Sequence, residues 1–143
     1  MPDAEPEYIR YLKLSNFDSG PAGIIMDILI ATGRKKPGAH DIWLELRNMA
    51  NFGLCDCARM RNQPDVGIRY CKVALTFDKQ DLFSHYALGE LLIMKYYDSG
   101  GTALLAEARQ HFAKVITLNS DIDEAPKARK YISDIDVILA RLK

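Results

Sequence analysis

Apolar side chains recur every three or four residues along most of this chain, and no stretch alternates with period two over a useful length. Residues three or four apart share one face of an α-helix, so the pattern predicts an all-α fold without strands. About seven helices with short connections are expected. Residues 7–14 carry Tyr8, Ile9, Tyr11 and Leu12 as a short helix with one sticky face, and residues 22–32 form a compact apolar helix. The turn residues SNFDSG precede it, with Asp18 or Ser19 as cap and Pro21 in the first helical turn, where a missing N–H costs nothing. Gly33 and the GRKKPG linker stop it.

A long helix is expected from about Asp41, with Trp43, Leu46, Ala50, Leu54 and Ala58 on one face for burial. Residues 62–64 end it. Asp65 opens the next helix, whose apolar face is Val66, Tyr70, Val73, Ala74 and Phe77. The stretch from Asp81 to Asn119 then reads as two amphipathic helices joined by Gly100-Gly101, with Asp81 as the cap of the first. Leu88, Gly89 and Leu92 lie at helical spacing in one, Ala108, Phe112, Val115 and Ile116 in the other. In the last helix Ala125, Ala128, Ile132, Ile135, Leu139 and Leu142 line one side. Pro126 requires that helix to begin near Asp123, since proline is tolerated only in a first turn.

Leu88-Gly89 followed by Ala108-x-x-x-Phe112 resembles the core of a tetratricopeptide (TPR) repeat. Stepping back 34 residues, the TPR period, sets Leu88-Gly89 on Leu54-Cys55. Stepping back 41 sets Ala108 and Phe112 on Gly67 and Cys71, and Val115-Ile116 on Ala74-Leu75. The seven extra residues fall between the paired helices, about one added turn in each, which keeps the packing register below them. The chain departs from the TPR pattern at Asn51, Ala58 and Lys79 in the earlier copy and at His85, Leu92 and Ser120 in the later one. The resemblance spans about residues 48–121.

The resemblance implies antiparallel helix hairpins stacked as a short right-handed array in a single domain, residues 1–143. Residues 48–81 and 82–121 would be the repeats, 122–142 a capping helix, and 1–40 additional helices or a degenerate repeat. In this family the first helix of each repeat lines a concave groove that takes a protein segment. Carried onto this chain, the groove residues would be Met49, Phe52, Asp56 and Arg59, then Phe83, Tyr86, Glu90, Ile93 and Tyr97. They lie off the Leu54/Ala58 and Leu88/Leu92 faces that must be buried, and spare aromatic residues suit an interface. Arg59 alone makes no clamp for an acidic chain end. A mainly apolar and aromatic groove for a hydrophobic or amphipathic segment is therefore expected. The Tyr96–Gly101 tip and self-occupation of the groove by residues 8–12 are the other candidate contacts.

Composition narrows the choice. Lysine plus arginine and aspartate plus glutamate number 19 each, which argues against nucleic-acid binding, where basic residues predominate. The polar, acidic opening and the lack of an apolar run near 20 residues argue against a secretory signal and a membrane span. Three cysteines, two of them only two apart, suit reduced thiols in a cytoplasmic protein. Cys55 and Cys57 point to different sides of a helix and cannot grip one metal, while Cys55 and Cys71 are expected as buried apolar thiols. His40, His85 and His111 show no metal-ligand spacing, and Ser84-His85 are neighbours that cannot face one another. Asn119, Asp121 and Asp123 begin a calcium-loop pattern that lacks its glycine and terminal glutamate. No phosphate-binding glycine loop occurs. The expectation is a non-enzymatic adaptor or chaperone without cofactor or metal; the alternative is a structural module that self-associates through its first or last helix.

Overall fold

The computed structural model describes the chain from residue 38 to residue 143, and its side chains from Leu44 onward. The expected helices before residue 33 lie outside the described residues. Within these bounds the fold is all-helical, with five helices and no strand: α1 Gly38–Met60, α2 Pro64–Phe77, α3 Leu82–Ser99, α4 Thr102–Leu118 and α5 Glu124–Arg141. Each packs on the next, and α1 also touches α3. Connections of two to five residues force successive helices to double back.

Local chemistry explains most of the boundaries. α1 starts at Gly38, before the Asp41 expected. Pro64 occupies the first position of α2, where it sacrifices no hydrogen bond. Asp81 caps α3, its carboxylate accepting from the Phe83 N–H at 3.2 Å. Gly100 and Gly101 turn the chain at φ +74° and +107°, a region other residues rarely enter. α5 begins at Glu124, so Pro126 falls in its first turn.

The core runs through all five helices. Leu54 and Ala58 of α1, Ala74 of α2, Leu88, Leu91 and Leu92 of α3, Leu105, Ala108, Phe112 and Val115 of α4, and Ala125, Ala128 and Ile135 of α5 are buried. Gly89 lets α4 approach closely: a Cβ there would stand 2.7–2.9 Å from the Phe112 ring. Phe112 in turn stacks on Tyr131 with ring centroids 4.6 Å apart, and Tyr86 meets Phe112 edge-on at 5.7 Å. Val66 and Leu142 do not join this core; both are exposed, Val66 in the first turn of α2 and Leu142 just past the end of α5.

Two findings correct the sequence reading. Cys55 and Cys71 form a disulfide linking α1 to α2, with Cα atoms 5.2 Å apart, so they are not the reduced thiols expected; Cys57 is free and buried. The bridge removes one of the grounds for expecting a cytoplasmic protein, the reduced thiols. The interior also carries polar groups that the apolar stripes did not announce. Asn48 donates to the Ala74 carbonyl at 3.2 Å and to Asp81 at 2.9 Å, and buried Ser84 donates to the same carboxylate at 2.6 Å. This network ties α1 to the end of α2 and the start of α3, with each buried group satisfied by another. No helix among the described residues is long and apolar enough to cross a membrane.

Candidate functional site

A groove crosses α1, α3 and α5. Its first part is a concavity of about 310 Å³ bordered by Phe52, Asp56 and Arg59 of α1, Phe83, Tyr86 and Glu90 of α3, and Glu124 and Lys127 of α5. Two smaller hollows continue it. One lies among Tyr86, Lys127, Tyr131 and Asp134, the next among Ile93, Tyr97, Tyr131, Asp134 and Ile138. Shared residues make the three one continuous depression. Eight of the nine groove residues expected from the sequence thus line it, and Met49, 56% exposed, lies on none of the three hollows.

The geometry follows from helical period. Phe52, Asp56 and Arg59 step by four and three along α1, and Phe83, Tyr86, Glu90, Ile93 and Tyr97 do the same along α3. Each row faces away from the Leu54/Ala58 or Leu88/Leu92 stripe that the core consumes. Phe52 and Phe83 approach across the gap with ring centroids 6.4 Å apart. Phe83 remains 47% exposed and Tyr97 70%, so both offer uncommitted aromatic surface.

The floor is more polar than the sequence suggested. Arg59 donates to Asp56 at 2.7 and 3.1 Å and to Glu90 at 3.4 Å, and the Tyr131 hydroxyl donates to Glu90 at 2.8 Å. Burial opposes the Arg59 charge, but the hydrogen bond and charge of Asp56, with Glu90 behind it, hold the guanidinium protonated above its ordinary range. Burial, then the neighbouring Glu90 charge, pushes the Tyr86 phenol up to about 12. Burial and the hydrogen bond to the Glu90 carboxylate push Tyr131 higher still. Both tyrosines are therefore neutral across the physiological range.

The third wall is the part the sequence reading missed. The TPR resemblance gives α5 only a capping role, yet Glu124, Lys127, Tyr131, Asp134 and Ile138 line the groove. Their spacing of three and four marks one helix face, a signal overshadowed by the Ala125/Ala128/Ile135 stripe beside it. The Tyr96–Gly101 tip joins the groove at Tyr97, which lines the third hollow and on which Tyr96 packs at 5.4 Å. Residues 8–12 lie outside the described residues.

Asp56 and Glu90 have already engaged Arg59, whereas Glu124 and Lys127 enter no hydrogen bond or ion pair among the described residues. The groove can thus offer an incoming chain exposed aromatic faces and charged groups of both signs. No family model, curated protein or solved structure matches this chain.

Proposed function

We propose that this chain is a TPR-like adaptor or chaperone that holds an amphipathic segment of another protein in the groove across α1, α3 and α5. The observation that carries the reading is the gathering of eight of nine expected groove residues into one depression. A second supports the repeat itself. The Cys55–Cys71 bridge occupies, at offsets of 34 and 41 residues, the same place as the Gly89–Phe112 contact. Two hairpins joined at equivalent points, one by a bond and one by a glycine under a ring, are what a duplicated helix pair requires.

The occupant suits the wall chemistry. Its apolar or aromatic side chains rest on Phe52, Phe83 and Tyr97, and its charged groups meet Glu124 and Lys127. The protein does no chemistry on it. Capture experiments with the full chain test this, comparing wild type with F83D/K127E and with a Q110E control on α4. Retention of a prey by wild type and control, with loss in the folded groove variant, is expected. Equal capture by all three moves the site elsewhere.

Self-association is the second reading, favoured by Val137 and Leu142, which α5 leaves 47% and 57% exposed. Sedimentation velocity at two concentrations separates it: a concentration-dependent dimer abolished by V137E supports it, and a monomer at both removes it.

A further inference from the structure

The first hollow of the groove carries more negative charge than its ion network uses. Three carboxylates border it, those of Asp56, Glu90 and Glu124, against two cations, Arg59 and Lys127. Arg59 is already committed, reaching Asp56 at 2.7 Å and Glu90 at 3.4 Å. Glu90 also accepts from the Tyr131 hydroxyl at 2.8 Å, while Glu124 enters no hydrogen bond or ion pair among the described residues. The surplus is felt at the neighbouring ring. After burial, the Glu90 and Glu124 charges act most strongly on the Tyr86 phenol, both ahead of the opposing Arg59. The hollow thus presents a net negative potential to an incoming group.

Aromatic rings border the same hollow. Phe52 and Phe83 stand 6.4 Å apart, inclined by 50°, and Phe83 is 47% exposed. Tyr86 meets Tyr131 at 6.3 Å where the first hollow opens into the second. Rings beside carboxylates select among occupants. An anionic side chain is repelled by the carboxylate surplus. A purely apolar one strips water from Glu124 and leaves its charge without a partner. A cation gains from the ring faces and the carboxylates together. Among cations the guanidinium is planar: it stacks on a ring while two of its N–H groups meet one carboxylate, which the compact lysine ammonium cannot do.

We propose that this hollow is a socket for an arginine side chain of the bound segment, its guanidinium laid against the Phe83 and Tyr86 rings and paired with Glu124. At about 310 Å³ the hollow has room for one long side chain. Lys127 opposes the incoming charge, so its removal strengthens binding while removal of the Glu124 charge weakens it. The third hollow, with Ile93, Tyr97 and Ile138, receives apolar neighbours of that arginine. The inference rests on the proposed groove function and adds to it the residue that anchors the segment.

The test titrates the isotope-labelled full chain with blocked arginine (acetyl-arginine-methylamide) and follows the backbone amides by nuclear magnetic resonance. Blocked citrulline, of the same shape without the charge, blocked lysine and blocked glutamate are run beside it. Saturable shifts at Phe83, Tyr86, Glu90 and Lys127 are expected, and none at Gln110 on α4. Removing the charge from either side, with citrulline or in E124Q, should weaken binding about fivefold, the upper end for a solvent-exposed pair. K127Q should bind the arginine probe more tightly, lysine should bind less tightly than arginine, and glutamate should not bind. The spectra themselves show whether each variant is folded. Arginine shifts that are absent or centred on α4, citrulline or lysine equal to arginine, or folded E124Q and K127Q both equal to wild type would overturn the proposal. The groove reading fails separately. Prey capture that depends on the groove without arginine binding overturns the socket alone; arginine binding with no captured prey overturns the adaptor reading alone.

Discussion

Gly89 shows how much one missing methyl group decides. The Phe112 ring occupies the space a Cβ would need, and it is also packed by Tyr131 at 4.6 Å and Tyr86 at 5.7 Å. G89A therefore cannot be absorbed by a free rotamer change, and overpacking of this kind costs about 1–3 kcal/mol. Urea unfolding of G89A should show a midpoint lowered accordingly; an unchanged midpoint would mean that α4 stands further from α3 than described. The groove tyrosines make a separate residue-scale prediction. Burial and the Glu90 charge raise the Tyr86 phenol to about 12, and Tyr131 is raised by burial and by donating to Glu90. The folded state thus binds these protons more tightly than the unfolded one. The stability they contribute is complete below about pH 10 and is lost as pH rises through the folded values. In a phenolate absorbance titration, Tyr86 and Tyr131 should ionise late, and Y131F should remove one late step. A late step left unchanged by Y131F would contradict the described floor.

At the scale of elements, the helices were legible in the sequence because each is specified by contacts with its own neighbours. The three-four period, the Asp81 cap, the Gly100-Gly101 turn and the Pro126 limit all act within a few residues. What joins helices was not legible. The Asn48–Asp81 bond spans 33 residues, the Tyr131–Glu90 bond 41, and the His85–His111 contact 26, and no local period announces such meetings. The residues of α1 and α3 that line the depression are those the TPR resemblance implies as groove residues; for α5 the resemblance implies only a cap, so its residues on that face were not named. The cysteines mark the same boundary. Equivalence of Cys55 with Gly89 and of Cys71 with Phe112 placed them near one another, but bonding depends on a Cα separation, 5.2 Å, that only the packed hairpin sets. A bridge across 16 residues stabilises by about 3 kcal/mol through the entropy it removes from the unfolded chain. Thiol counting in denaturant should give one free thiol, Cys57, and dithiothreitol should lower the urea midpoint of wild type but not of C55A/C71A. Three thiols in the untreated protein would contradict the bridge.

For the whole molecule, α1, α3 and α5 share one surface while α2 and α4 back them, as the sequence of pairwise packing requires. The core consumes the Leu54/Ala58, Leu88/Leu92 and Ala125/Ala128/Ile135 stripes, and what remains on the shared face is aromatic and charged. Its ion network is self-satisfied at Arg59, so fixed charges hold the walls in place while exposed Phe83 and Tyr97 stay available. Such surface pairs are worth little individually, about 0–1 kcal/mol, so their role here is placement more than stability. The proposed division of labour is the central claim: the shared face of alternate helices is the proposed binding surface, and the stripes beneath it hold the fold. Site-specific photocrosslinking tests it most directly, with benzoylphenylalanine placed in turn at Phe83, Tyr97 and Lys127 in the groove and at Ala106 and Gln110 on exposed α4. The account predicts that one and the same protein is crosslinked from all three groove positions and from neither α4 position. Equal crosslinking from α4, or different products from the three groove positions, would contradict it.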